Sequence, residues 1–204
     1  MKVSPLLDAY SPAEFVYGER AGMQIALARS APITAHAGLA DLSALRKWML
    51  FGSGVPTLLS KNFALPALFS RAVGAGSWVA RVGAGRYLLS EDTQRVGEIE
   101  EPAMRDVTVL TQSWVEFAIF GAMTTEILSE LCTTNLAQYP MNAWIPTLLA
   151  DSEVAIYRCP ATQHHRVVCA PAEGLYLFST IAGLAKELGG ELLGFDDYCK
   201  TNVL

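Results

Sequence analysis

One pattern occurs twice in this chain and limits what it can fold into. When residues 41–60 are aligned with residues 110–129, a Phe-Gly pair at 51–52 coincides with one at 120–121, and apolar residues match around both. Each stretch is typical of a strand that turns at the glycine into a short helix. Two such stretches predict two halves built on one plan.

The similarity continues past the short helices, because each half also contains a hairpin pattern and a second helix. The predicted elements are a strand at 45–51, a helix at 55–62, a hairpin at 78–89 and a charged helix at 92–104 in the first half, and a strand at 114–120, a helix at 124–131 capped by Thr124, a hairpin at 154–169 and an apolar helix at 173–188 in the second half. This order of strand, helix, hairpin and helix predicts an α+β fold, with helices on the outer faces of mixed or antiparallel sheets.

The remaining residues predict an arm before these halves and a tail after them. An irregular lead-in and an alternating stretch at 23–29 predict an N-terminal arm with an edge strand. A chain of 204 residues is long enough for one well-buried core. The predicted division is an arm at 1–35 and one domain at 36–204, with pseudo-repeat halves at about 36–105 and 106–190 and a tail at 191–204.

The composition argues against several classes of function. Only 17% of the residues are charged, below the roughly one quarter of ordinary domains, so we expect part of the surface to be covered by other protein. A net charge of -5 without a basic run argues against nucleic acid. The longest charge-free stretch, 131–150, is interrupted by Pro140 and Pro146, which argues against a membrane span. Without a signal-peptide pattern either, we expect a cytoplasmic protein.

No cluster of reactive residues predicts a catalytic or metal site. His164 and His165 are neighbours on a predicted strand, so they point to opposite faces and cannot chelate one metal together. His36 lies near Asp41 and Ser43, but no nucleophile-elbow motif accompanies them. The four cysteines form no CxxC pair and are interpreted as reduced thiols. We therefore expect no catalytic residue and no bound metal.

Two parts of the chain carry a resemblance to a known family. Residues 38–43, followed by a strand ending in Gly52 and a short helix, resemble the opening of the folate-binding domain of aminomethyltransferases, the glycine-cleavage T-protein superfamily. The second half is similar to one branch of that superfamily, the gamma subunit of heterotetrameric sarcosine oxidase. The segments that carry this second similarity are 115–121, 130–136, 139–147 and 154–158. The resemblance implies the fold of the aminomethyltransferase folate-binding domain.

The same resemblance bears on activity. T-proteins bind tetrahydrofolate and transfer a methylene unit with the help of a carboxylate just before the strand of the first hairpin. The corresponding place here is residues 73–78, and no Asp or Glu occurs from Lys61 to Ser90. Because Gly and Ser cannot replace a carboxylate that steers a proton, aminomethyl transfer by this chain alone is not expected.

Four aromatic residues are the candidates for a pocket. Trp78, Tyr87, Trp114 and Trp144 are weak candidates for lining a pteridine-sized pocket between the halves. The alternative is that they fill a core or an interface, as large aromatic side chains more often do. The sequence leaves both interpretations open.

The sequence thus predicts a non-catalytic assembly subunit of a sarcosine oxidase-like complex. The resemblance implies that the complex oxidatively demethylates sarcosine or a related N-methyl amine and is linked to tetrahydrofolate one-carbon metabolism. It also implies larger partner chains of alpha, beta and delta type, on which FAD, FMN and NAD are expected. Tetrahydrofolate binding by this chain stays open. So does the alternative of a free-standing tetrahydrofolate-binding or aminomethyltransferase-like protein.

Overall fold

The computed structural model describes residues 1–34, 37–74, 76–93, 96–97, 102, 105–112, 114–159 and 164–201. Strands and helices alternate along these ranges, which confirms the predicted α+β class. In chain order they are β1 (Lys2–Val3), β2 (Phe15–Arg20), β3 (Met23–Arg29), β4 (Gly38–Asp41), β5 (Lys47–Phe51), α1 (Val55–Leu59), β6 (Arg71–Gly74), β7 (Ser77–Gly83), β8 (Arg86–Glu91), β9 (Thr108–Gln112), β10 (Val115–Phe120), α2 (Thr124–Leu131), β11 (Ile145–Leu149), β12 (Ser152–Arg158), β13 (His165–Cys169), α3 (Pro171–Glu187), β14 (Glu191–Leu193) and α4 (Phe195–Thr201).

Two large sheets organise the chain. One has the strand order β6-β7-β8-β5-β9, and the other has the order β11-β12-β13-β10-β4-β14. In both, three consecutive antiparallel strands are followed by the strand that precedes the short helix, and then by a strand from the other half. Thus β4 pairs with β10 and β9 pairs with β5, so the halves exchange their leading strands. The strand orders match, whereas an origin by duplication stays a prediction.

Each Phe-Gly pair ends a central strand. Gly52 follows β5 with a φ of 117°, and Gly121 follows β10 with a φ of 88°, both in the region that favours glycine. A Cβ atom at Gly52 would lie 2.2 Å from the carbonyl oxygen of Asp106, so a side chain does not fit there. The doubled glycine therefore has a physical reason at both positions, and it directs the chain into α1 or α2.

The two large sheets face each other, and helices cover their outer faces. Alternation along the strands sends Tyr157 towards the opposite sheet and Ile156 towards the helices. Beneath α3, Phe178 and Ile181 are fully buried against the six-stranded sheet. On the far side, Val55 of α1 packs on the outer face of the five-stranded sheet. The predicted placement of helices on outer faces is therefore present.

The N-terminal strand prediction needs a correction. The stretch at 23–29 forms β3 as expected, but β3 is the central strand of a three-stranded sheet, with β1 and β2 on its two sides. It is therefore not an edge strand. The lead-in was expected to be irregular, yet Phe15–Arg20 pairs with β3 across the turn at Ala21 and Gly22, both of which have positive φ.

The C-terminal segment is structured rather than a tail. β14 pairs in parallel with β4 at the edge of the six-stranded sheet. Leu193, Phe195 and Tyr198 are buried at 0 to 2% exposure, because they pack on Ile25 of β3 and close that side of the core. Burial of these side chains holds 191–201 on the domain.

Two helix predictions also differ from the structure. Helix α2 spans the predicted residues, but Thr124 is its first helical residue and Met123 occupies the cap position without a side-chain bond. Met123 has helical angles because the turn at Gly121 already leads into the helix. The charged helix predicted at 92–104 lies mostly outside the described residues, and Asp92 and Thr93 are not helical. In the described ranges, no helix combines the length and the apolar character that crossing a membrane requires.

Candidate functional site

A cluster of charged side chains is buried between the two large sheets. Lys47 of β5 and Glu116 of β10 are both inaccessible to solvent, and Nζ of Lys47 lies 2.9 Å from Oε2 of Glu116. The same Nζ donates a hydrogen bond to the carbonyl oxygen of Leu45. The hydroxyl of Tyr157 donates to Oε1 of Glu116 over 2.7 Å. Oε1 of Glu116 therefore accepts a hydrogen bond, whereas Oε2 has the charge of Lys47 beside it and no hydrogen bond among the described residues.

Arg166 of β13 extends this cluster towards the end of β8. Its Nη1 lies 3.3 Å from Oε1 of Glu116, and its Nη2 donates to Oδ1 of Asp92 over 3.1 Å. Burial alone would raise the pKa of Asp92, but the charge of Arg166 and the backbone N–H of Thr93 hold that pKa below its usual value. The two cations and two carboxylates balance each other, so removal of one partner would leave an uncompensated charge at the junction of the sheets.

Tyr157 is kept neutral within this cluster. Burial, and then the negative charge of Glu116, raise the pKa of Tyr157 well above its usual value. The guanidinium of Arg71 lies 4.3 Å from the centre of the Tyr157 ring and donates through Nη2 to the carbonyl oxygen of Arg158. Because Tyr157 is neutral, its hydroxyl acts as a hydrogen-bond donor to Glu116 and not as a base.

Aromatic rings fill the adjoining part of the space between the sheets. The ring centres of Trp78 and Trp144 are 5.7 Å apart, and Trp78 lies 4.9 Å from Tyr157. Trp78 is 1% exposed and Trp144 is 5% exposed. Trp114 packs on the same cluster but is only partly buried. These rings pack in tilted pairs, an arrangement that aromatic side chains favour, and their contacts join the two sheets.

The structure brings together three of the four predicted pocket residues. Trp78, Trp114 and Trp144 belong to one cluster. Tyr87 lies on the opposite face of the five-stranded sheet, where it packs with Trp48. Alternation along β8 explains the difference, because Tyr87 and its neighbour Leu88 must point to opposite faces. A role for these residues in ligand binding stays a prediction.

A groove of about 830 Å³ opens at the edge of the aromatic cluster. Trp114 and Trp144 contribute to its wall, and Asp151, Glu153 and Glu173 bring carboxylates to it. Flat apolar walls beside acidic groups suit a neutral or cationic ring, or an aromatic or basic side chain of a partner protein. Cys169 lies next to the groove but belongs to the core on the helix side of the sheet. Burial and the nearby Glu173 raise the pKa of its thiol to about 12, so it is not a nucleophile at neutral pH.

The histidines and the Ser/His/Asp trio are placed as follows. His164 Nδ1 lies 3.3 Å from the hydroxyl of Tyr198, whereas His165 lines a cavity on the other side of the hairpin. The two rings therefore do not converge, as predicted. His36 lies outside the described residues. The Asp41 carboxylate accepts hydrogen bonds from the Ser4 hydroxyl and from the Ser43 backbone N–H, which ties the N-terminal segment to β4.

The buried charge cluster was not predicted from the sequence. Glu116 and Arg166 are lone charges within apolar strands, and that pattern is the available signal, because a charge facing a core needs a partner. The partners were not readable: Arg166 and Asp92 are 74 positions apart. A buried charge could thus be suspected, but its pairing could not be derived.

Known proteins resemble this chain in structure but not in sequence. Neither a protein-family model nor a curated protein matches it. The structure is similar to glycine cleavage system aminomethyltransferase T from Bartonella henselae, with a TM-score of 0.74 and 14% identity over 96% of this chain and 60% of that chain. The chain thus spans 60% of the length of that protein.

A second similarity has a different extent. A chain of heterotetrameric sarcosine oxidase from Corynebacterium sp. U-96 matches with a TM-score of 0.62 and 19% identity, over 92% of this chain and 96% of that one. Identities this low show the fold alone. The chain has the fold that these two proteins share, and the predicted fold is confirmed.

Proposed function

We propose that this chain is a non-catalytic assembly subunit, of gamma type, in a sarcosine oxidase-like complex. The observation that carries the proposal is the similarity to a chain of heterotetrameric sarcosine oxidase over 92% of this chain and 96% of that one. The match to the aminomethyltransferase extends over 60% of that enzyme. The fold of this chain therefore corresponds in extent to a chain of a hetero-oligomer.

The buried cluster supports a structural role. Glu116 is fully buried against Lys47, Tyr157 and Arg166, so a substrate in solvent cannot reach this carboxylate. Asp92 is held in its charged form by Arg166. With no Asp or Glu from Lys61 to Ser90, the charges between the sheets are arranged for stability.

An exposed apolar surface supports contact with other protein. Leu68 and Phe69 are 50% and 46% exposed, and Tyr139 and Met141 are 41% and 38% exposed. The two segments are adjacent, because the backbone N–H of Trp144 donates to the carbonyl oxygen of Phe69. A grouped apolar surface of this kind is typical of a protein interface.

In this proposal the complex oxidatively demethylates sarcosine or a related N-methyl amine. FAD, FMN and NAD are carried by partner chains of alpha, beta and delta type, and the carbon unit released enters tetrahydrofolate metabolism in the cytoplasm. The contribution of this chain is to hold the larger chains in their correct arrangement.

Co-expression tests the proposal. We expect this chain to co-purify in equal stoichiometry with the sarcosine oxidase-like chains of its own organism, measured by size-exclusion chromatography and native mass spectrometry. Leu68→Glu should weaken that association, whereas the control Val16→Glu, which changes an exposed residue of the small sheet, should not. A monomer that stays separate while the other chains assemble and oxidise sarcosine without it would overturn the proposal.

A free-standing tetrahydrofolate-binding or aminomethyltransferase-like protein is the second candidate. The groove beside Trp114 and Trp144 favours it, because indole rings and carboxylates in one wall suit a pteridine. Calorimetric titration of the isolated chain with tetrahydrofolate separates the two functions. Saturable micromolar binding favours the second candidate, and no binding at millimolar concentration favours the subunit.

A further inference from the structure

A second cavity, of about 390 Å³, lies on the helix-covered side of the six-stranded sheet. Its walls come from the end of α2, the loop at 132–137 and the facing ends of β12 and β13. Two basic residues line it, Arg158 and His165, and none of its described lining residues is acidic. The carboxylates of α2, Glu126 and Glu130, are exposed and do not line it. The cavity therefore has a positive lining.

The strand register explains why the two basic residues meet. Arg158 and His165 are directly opposite each other in the β12–β13 pair. Opposite residues in an antiparallel pair project from the same face of the sheet. On that face, the preceding pair of Ile156 and Val167 is buried in the core beneath the helices. The basic pair continues this face outwards, where the apolar core ends and the cavity begins.

Hydroxyl groups complete the lining. Ser129, Thr133 and Thr134 also line the cavity, and the Ser129 hydroxyl donates to the carbonyl oxygen of Glu126. Thr134 Oγ1 lies 2.6 Å from Thr147 Oγ1, so its position is fixed by a second hydroxyl. Hydroxyls and a guanidinium are the donors that carboxylate and phosphate oxygens accept most readily.

The basic pair has unused hydrogen-bonding capacity. Within the described residues, Nδ1 of His165 is buried without a hydrogen-bond partner. The guanidinium of Arg158 donates from Nη2 to the carbonyl oxygen of Tyr139, and it has further N–H groups to offer. Burial and the positive charge of Arg158 lower the pKa of His165 to about 4. At neutral pH the imidazole is therefore uncharged, and an anion beside it would reverse part of that effect.

We propose that this cavity binds a small oxyanion, a carboxylate or a phosphate group, through the guanidinium of Arg158, the imidazole of His165 and the neighbouring hydroxyls. The site is separate from the groove between the sheets, and it does not depend on the proposed subunit role. It gives the chain a ligand site on the face opposite to that groove.

Titration with small anions tests the site. Sodium phosphate and sodium acetate are added to the isolated full chain at constant ionic strength, and the His165 ring resonances are followed by NMR. We expect saturable binding of at least one anion, with the His165 resonances shifting and the pKa of His165 rising. Response to phosphate alone assigns a phosphate group, and response to acetate alone assigns a carboxylate. The absence of a saturable shift with either anion, at concentrations up to tens of millimolar, would overturn the proposal.

Variants sharpen the result. Arg158→Gln should weaken anion binding at least tenfold, and Arg158→Lys should retain part of it, because the charge is kept while the planar fork is lost. The control Arg86→Gln removes an exposed arginine of the other sheet and should leave binding unchanged. Equal binding by the wild type and Arg158→Gln would contradict the site. If Arg158→Gln does not fold, Arg158→Lys is compared with Arg86→Gln instead. Weaker anion binding by Arg158→Lys than by Arg86→Gln supports the site, and equal binding contradicts it.

Discussion

The buried charge cluster and the groove occupy the same space between the two large sheets, yet they differ in nearly every physical property. In the cluster, Lys47, Glu116 and Arg166 are at most 2% exposed, and each is paired. In the groove, Glu153 is exposed and the walls are open. The side chains at the centre of this space are therefore buried and paired, whereas those at its edge are accessible to solvent. Charge changes at the centre should therefore alter folding, and changes at the edge should alter recognition.

The largest expected effect comes from the centre. Glu116→Gln leaves Lys47 buried without its counter-charge, so we expect the free energy of unfolding to fall by about 3–5 kcal/mol. The matched change in the groove, Glu153→Gln, should alter it by about 0.5 kcal/mol or less. Urea unfolding followed by circular dichroism measures both. Similar losses for the two variants would remove the distinction between centre and edge.

A double-mutant cycle tests whether the pair acts as a unit. Lys47→Met removes the cation and Glu116→Gln the anion, so the double variant should lose less stability than the sum of the two single losses. We expect a coupling of about 1–3 kcal/mol by urea unfolding. Additive losses would show that the two charges are stabilised independently.

The two tryptophans give the next comparison. Trp78 is fully enclosed, so Trp78→Ala should cost about 3–5 kcal/mol of unfolding free energy, including the cavity it leaves. Trp114 is partly exposed at the groove, and Trp114→Ala should cost less than about half as much. Chemical unfolding of both variants checks the order. A larger loss at Trp114 would mean that the groove wall belongs to the core.

Stability should also depend on pH through the two histidines. Burial lowers the pKa of His164 and of His165 to about 4, below the ordinary 6.5. The unfolded chain therefore binds protons more readily, and this stability is lost as the pH falls from about 6.5 to about 4. In the double variant with His164→Asn and His165→Asn, the free energy of unfolding should change less with pH in this range. Urea unfolding at several pH values measures this dependence. The contribution of Asp92, whose pKa is lowered, should be lost at lower pH, below about 3.8.

A persisting slope between pH 6.5 and 4 in the double histidine variant would contradict this assignment. It would show that groups other than His164 and His165 take up the protons in this pH range.

The last comparison concerns the buried thiol of Cys169 behind the groove. Because the pKa of Cys169 is about 12, its alkylation by iodoacetamide at pH 8 should be about three orders of magnitude slower than that of an unhindered thiol. Peptide mass spectrometry after timed quenching measures the rate. Fast labelling in the folded protein would show that the Cys169 thiol is accessible and not held in the core.

The sequence allowed the frame of this fold to be predicted better than its site. Glycine turns, alternation along strands and the apolar face of α3 are local signals, and they predicted both hairpins and the helices after Gly52 and Gly121. The exchange of β4 and β9 between the sheets has no local signal, because each strand pairs with a distant one. The N-terminal strand β2 was also missed, although it pairs locally with β3 across the turn at Ala21 and Gly22.

The buried cluster shows the same limit at the level of single residues. Glu116 and Arg166 are visible in the sequence as charges in apolar strands, but their contact joins positions 50 residues apart. Which residues they contact depends on how the two sheets pack face to face. Composition and periodicity do not carry that information.

Turnover per assembled complex is the most direct test of the view that the charges between the sheets hold the fold and take no part in chemistry. Asp92→Asn removes the charge that faces Arg166 at the partly buried end of the cluster. When co-expressed with the chains of the proposed complex, the variant should give less assembled complex, with an unchanged kcat for sarcosine per complex. Full assembly with a kcat reduced tenfold or more would contradict this account.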